Sequence, residues 1–204
     1  MNRFLRLTGL CMAALACGCT LTVHPLLTDE VATGDEQLPG RWQSDETRWT
    51  FVATDHAAGR YELHTDMKDQ PPARFRTRLG IIGGQRFLEL TPERPDAIHA
   101  KTFLGSHFLA LHNFWKYTRE GDQLTLTPMS ASWLDALQKQ GNLPVGREQP
   151  ESGLPFFTAS TADLQAFVAQ HAGNPAAFPT TGDGKGIVFT RERAILEPTT
   201  GASP

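Results

Sequence analysis

The sequence predicts a mainly β protein: one antiparallel sheet, closed as a barrel or half-barrel, carrying two short α-helices. Three observations point there. Between Gly40 and Met129, short segments of alternating apolar and polar residues recur with turn residues between them. Downstream, two stretches change to helical spacing. Of the 204 residues, about 180 remain beyond an N-terminal leader, enough for one domain with its own core.

Residues 1–18 read as an export leader. Arg3 and Arg6 form its charged start, Leu7 to Ala16 its uncharged apolar run, and small residues follow. The run is shorter than the roughly 20 apolar residues that a membrane-spanning helix needs. The stretch LACGCT resembles the signal of bacterial lipoproteins, in which a cysteine after small residues receives lipid and becomes the mature N-terminus. On that resemblance Cys19 is the attachment residue, with Cys17 as the alternative. The resemblance implies stable membrane attachment, because two or more acyl chains anchor firmly where one does not. On the same resemblance, Thr20 after Cys19 implies the outer membrane, with the domain facing the periplasm. All three cysteines lie within the first nineteen residues, so the domain has none for disulfides or for cysteine-based metal or redox chemistry.

The 19 Lys and Arg include Arg3 and Arg6; without those two, the 22 Asp and Glu exceed the bases by five. No basic cluster is present, which argues against nucleic-acid binding. Residues 19–39 comprise the lipidated cysteine and a stretch rich in acidic and turn residues, read as a tether between membrane and domain. A strand or lid docked through Val23, Leu26 and Leu27 is the alternative.

Residues 40–194 form the single domain. Strands are expected near Arg48 to Ala53, Arg60 to Asp66, Ala73 to Leu79, Arg86 to Thr91, Ala97 or Ile98 to Leu104, Phe108 to Thr118 and Gln123 to Thr127. The breaks carry Ala-Ala-Gly, Pro-Pro, Gly-Gly, Pro-Asp and Glu-Gly-Asp, which suit tight turns. In YELHTD, Glu62, His64 and Asp66 share a face; in ARFRTRL, Arg74, Arg76 and Arg78 do. Setting those faces side by side places Glu62 near Arg78 and Asp66 near Arg74, with both apolar sets inward.

SASWLDALQKQG reads as a helix with Ser132 and Asp135 at capping-box spacing and Gly141 as its stop. TASTADLQAFVAQHAG repeats the design with Ser160 and Asp163, and with His171 in the last turn, where positive charge is favoured. VGREQPESG between the helices reads as exposed loop, Ile187 to Arg191 as the closing strand, and residues 195–204 as a polar tail.

In LPGRW, Gly40 and Trp42 resemble the Gly-x-Trp signature that opens lipocalin barrels. The resemblance implies a lipocalin-like barrel in which this tryptophan closes one end beneath a basic residue of the last strand, here Arg191 or Arg193. More of the chain, through LPGRW, RFLELTP, HNFWKY, GDQLTLTPMSASWLDALQKQG and FTASTADLQAFVAQHAG, is similar to a group of uncharacterised bacterial lipoproteins. That similarity implies an envelope location and a β-rich fold, and it assigns no catalytic residue.

Chemistry-bearing patterns are sparse, and no motif specifies a cofactor. His107 and His112 have an odd separation that puts them on opposite faces of a strand, and the arginines facing Glu62, His64 and Asp66 would repel a cation, so no metal site is assigned. No Gly-x-Ser-x-Gly occurs, and the glycines around Lys185 lack the ending of a phosphate loop and precede a strand. The leading expectation is therefore a non-enzymatic envelope module that binds a small apolar molecule or another envelope protein. Trp49, Phe51, Phe108 and Trp115 are its candidate ligand residues. A scaffold lipoprotein with a filled core is the alternative. A hydrolase using His64 or His112 with a carboxylate is a further one.

Overall fold

The computed structural model describes residues 20–45, 47–68, 70–93, 109–151, 154–182 and 184–192. Cys17, Cys19, Phe108, Arg193, the strand expected at Ala97 to Leu104 and the polar tail lie outside the described residues.

Eight strands follow the alternation: β2 (Gly40–Gln43), β3 (Thr47–Asp55), β4 (Arg60–Met67), β5 (Ala73–Ile82), β6 (Gln85–Pro92), β7 (His112–Glu120), β8 (Gln123–Thr127) and β11 (Ile187–Arg191). Each pairs antiparallel with its neighbours; β11 joins β8 to β2, and β6 pairs with β7, so the sheet closes into a barrel. Inward positions carry Trp42, Trp49, Phe51, Tyr61, Leu63, Leu79, Leu88, Leu90, Trp115, Tyr117, Leu124, Leu126 and Phe189, all buried in one cluster with Leu38. Burial of such a cluster drives the closure, at roughly 25 cal/mol per Å² of apolar surface.

A second core lies outside the barrel. Between β8 and β11 the chain forms α1 (Ala131–Lys139) and α2 (Thr161–His171). Leu134, Leu164, Phe167 and Val168 from these helices pack with Ile82, Phe87 and Phe114, the outward residues of β5, β6 and β7. The hairpin turn at Gly83 and Gly84 has positive φ at both residues, the geometry of tight hairpins. A Cβ on Gly83 would also stand 2.6 Å from the Ala169 carbonyl oxygen, so only glycine lets α2 approach this closely. Lys116 donates to the Ala172 carbonyl at 2.9 Å, placing a cation at the C-terminal end of α2.

The helix ends partly match the sequence. Ser160 caps α2, accepting from the Asp163 amide at 3.2 Å and donating to its carboxylate at 2.7 Å. At α1 the cap is Ser130 rather than Ser132, accepting from the Trp133 amide at 3.3 Å; the true cap precedes Ala131, so the helix starts earlier than the expected box. Gly141 has φ +71°, as a helix stop requires. His171 packs its ring against Trp133 and Phe167, with centroids 4.8 and 4.9 Å away, and burial lowers its pKa. Its contribution is packing rather than a positive charge in the last turn.

The segment read as a tether is docked along its described length, the alternative reading. β1 (Thr20–Thr22) pairs antiparallel with β7 and parallel with β10 (Phe156–Phe157), which pairs in turn with β9 (Arg147–Glu148). The stretch expected as open loop therefore supplies an edge strand, and Val145 beside it is buried. From β1 the chain crosses the outer face with Leu26 and Leu27 buried, makes a 3-10 turn at Asp29–Val31, and then plugs one end of the barrel with Asp35 and Leu38.

At that end, a Cβ on Gly40, whose φ is +130°, would lie 2.6 Å from Arg191 Nη1. The absence of a side chain admits Arg191, whose guanidinium stacks 4.3 Å from the centroid of Trp42 and donates to the Pro39 carbonyl at 2.9 Å. Arg191 thus takes the place over the tryptophan that the Gly-x-Trp pattern implies.

The β4–β5 hairpin keeps the expected faces but shifts by two residues. Glu62 stands opposite Arg76, His64 opposite Arg74, and Arg60 opposite Arg78, while Asp66 meets Arg48 of β3 at 3.8 Å. A period of two fixes only parity, so alternation cannot distinguish registers two residues apart. Pro71 and Pro72 have no amide hydrogen to extend the ladder, and the first pair formed is Thr65 with Ala73.

Candidate outer-face groove

The outward faces of β4, β5 and β6 form rows of charged side chains that α1 and α2 do not cover. Residues Pro25 to Glu30 wall one side, and His112 of β7 lies at the far edge, enclosing a half-open cleft of about 770 Å³. The segment is held there from two sides. Thr161 and Gln165 of α2 donate to the Pro25 and Leu26 carbonyls at 2.8 and 2.9 Å, while the Leu26 and Leu27 amides donate to the carboxylate of Glu89. Glu89 is 3% exposed, and its Oε1 lies 3.2 Å from His112 Nδ1. Glu89→Ala is expected to strand two buried backbone donors at about 1–3 kcal/mol each. Faster hydrogen exchange at the Leu26 and Leu27 amides would check this; unchanged exchange would show that Glu89 is not what holds the segment.

Arg60 and Arg78 face each other across β4 and β5, a like-charge pair that is unfavourable alone. Asp29 lies between them, 2.9 Å from Arg60 and 3.1 Å from Arg78. The hydrogen bond from Arg60 and the charge of Arg78 hold its pKa below the usual carboxylate value. Glu62 is engaged by His64 at 2.5 Å and, more distantly, by Arg74 at 4.0 Å.

Both histidines named for a hydrolase have a carboxylate within reach, His64 at the surface and His112 in the groove. At His112, however, Glu89 Oε1 and Thr91 Oγ1 approach the same nitrogen, Nδ1, at 3.2 and 2.9 Å. A nucleophile–base–orienter relay uses the two ring nitrogens separately, one facing the carboxylate and the other the hydroxyl. The cluster is arranged to fix the imidazole and dock the N-terminal segment, and Thr91 is not placed as its nucleophile.

The aromatic candidates lie elsewhere. Trp49, Phe51 and Trp115 are 6%, 2% and 5% exposed inside the barrel. Trp49 packs with ring centroids 5.7 Å from Trp115, 6.1 Å from Phe51 and 4.8 Å from Phe189. The Nε1 atoms of Trp49 and Trp115 are buried and have no hydrogen-bond partner among the described residues. The groove itself has one local signal in the sequence: in RFLELTP, Glu89 shares a face with Phe87, an acid in line with a large apolar residue. Its partners, 62 to 63 residues upstream and 23 downstream, have none.

No protein-family model, curated protein or solved structure matches this chain.

Proposed function

We propose that this protein is a lipid-anchored binding module of the bacterial cell envelope, attached through Cys19 to the outer membrane and facing the periplasm, whose ligand occupies the outer groove rather than the barrel interior. The observation that supports this most directly is the contrast between the two spaces. Among the described residues, fourteen buried side chains pack in and across the end of the barrel, whereas half of the residues lining the cleft of about 770 Å³ outside are charged. Ligand clefts commonly measure about 300–1,000 Å³ and orient their guests with a few fixed polar groups. A polar ligand fits this lining better than the small apolar molecule suggested by the aromatic residues.

Native mass spectrometry of the protein purified with its anchor tests the reading. A bound mass is expected that Arg76→Glu loses and Trp115→Phe keeps. Retention by Arg76→Glu would overturn the groove as the site, and a clean mass after exposure to envelope extract would favour a scaffold with a filled core. The same spectra test the anchor: a mature chain beginning at Cys19 carries added acyl mass, and a free N-terminus would rule that out.

A further inference from the structure

We propose that the groove recognises a peptide-class zwitterion, a short chain with a free ammonium at one end and a free carboxylate at the other; this rests on the groove being the ligand site. The charges along its lining lead there. Three arginines, Arg60, Arg76 and Arg78, face five carboxylates, those of Asp29, Glu30, Glu62, Glu89 and Glu93. Asp29 occupies Arg60 and Arg78, and Glu62 is engaged by His64 and Arg74. Glu89 accepts from two backbone amides beside His112, and Glu30 from the Thr28 hydroxyl. Two groups of opposite sign remain without a side-chain partner among the described residues: Arg76 and Glu93.

Their placement is fixed by the sheet. Arg76 pairs with Thr91, and Glu93 lies two residues beyond Thr91 on the same face, its amide donating to the Arg74 carbonyl at 2.9 Å. Such diagonal neighbours stand about 7–8 Å apart, within reach of one ligand and of each other, yet no ion pair joins them. A simple anion would satisfy Arg76 but enter a lining already richer in carboxylates, and a simple cation would leave Arg76 alone. A molecule carrying both charges meets both residues. Its carboxylate takes the planar fork of Arg76, its ammonium donates to Glu93, and its body lies along Pro25 and Leu27.

Isothermal titration calorimetry on the full chain with tetra-alanine, its N-acetylated form and its C-amidated form tests this. Tetra-alanine is expected to bind, and each blocked peptide to bind at least about tenfold more weakly. Arg76→Gln should erase discrimination against the amide alone, and Glu93→Gln discrimination against the acetyl group alone. Equal binding of the three peptides would overturn the zwitterion. So would no binding of any while an Arg76-dependent mass persists in native spectra, an outcome that leaves the groove itself standing. A bound mass indifferent to Arg76 would remove both.

Discussion

Asp35→Ala is expected to destabilise the protein by about 3–5 kcal/mol, the cost of stranding one member of a buried charge pair. For a chain of this size that corresponds to a fall of about 6–20 °C in melting temperature. Asp35 is 4% exposed at its side chain and gathers the barrel end around it. Arg119 donates to it twice, at 2.8 and 3.1 Å; Tyr117 donates through its hydroxyl at 2.8 Å, and the Gln37 amide at 2.9 Å. Its backbone amide donates to the Tyr61 hydroxyl at 2.7 Å. Truncation leaves Nε and Nη2 of Arg119 and the hydroxyl of Tyr117 facing a void, while Arg119 Nη1 keeps only Gln37 Oε1 and the Gly121 carbonyl. Arg86, 3.4 Å from the same carboxylate but 45% exposed, supplies the contrast: Arg86→Ala should cost no more than about 1 kcal/mol. Calorimetric unfolding of both variants checks the pair, and equal effects would mean that Asp35 does not organise the plug.

The same residue sets an acid limit. Burial pushes the Asp35 carboxyl upward, but hydrogen bonds from Arg119, the Gln37 amide and Tyr117, together with the Arg119 charge, outweigh it and leave the pKa lowered. A carboxylate with a lowered folded pKa contributes stability that is present above its unfolded value, about 3.9, and is lost as pH falls through the folded value. Stability should therefore drop as the medium is acidified below about pH 4, and Asp35→Asn should be less stable at neutral pH but less sensitive to that acidification. Parallel pH curves for the two proteins would show that another group governs the acid transition. Tyr117, whose pKa is raised by burial and by its bond to Asp35, stays a neutral donor throughout this range.

What the sequence revealed and what it hid follow from the range of each signal. Alternation is local, so β3 to β8 and β11 appear near their observed positions, and the inward set that closes the barrel is visible in the same residues. Register is only half local: the Glu62 and Arg76 faces are legible, but their offset is set by a turn containing Pro71 and Pro72. The docking of residues 20–39 was legible only as an alternative, through Val23, Leu26 and Leu27, because each of its anchors is distant in sequence, Glu89 for Leu26 and Leu27, Arg119 for Asp35, Arg191 for Pro39. A three-residue strand such as β1 is too short for any period to show. The groove inherits this blindness, since one wall is the segment that reads as a tether and the charges it neutralises belong to other strands. The aromatic residues stood out for the opposite reason. Their bulk is conspicuous in any sequence, and bulk serves a filled core as readily as a ligand cavity.

Two substitutions at Trp115 separate those uses. Trp115→Ala should cost about 3–5 kcal/mol, because it opens a cavity against Trp49 in the centre of the barrel. Trp115→Phe should stay within about 1.5 kcal/mol of the parent, because two terms oppose each other. The smaller ring leaves a gap, but it also removes an indole N–H that is buried without an acceptor among the described residues, a liability of about 1–3 kcal/mol. Ligand uptake in the groove should survive the phenylalanine change, since Trp115 faces inward and the groove lies on the outer surface. Chemical denaturation with the binding assay in parallel checks both halves. A phenylalanine variant as unstable as the alanine one, and unable to take up the ligand, would mean that the indole N–H does have an acceptor in the working protein. The indoles of Trp49 and Trp115 would then face a guest, and the binding site would return to the barrel interior.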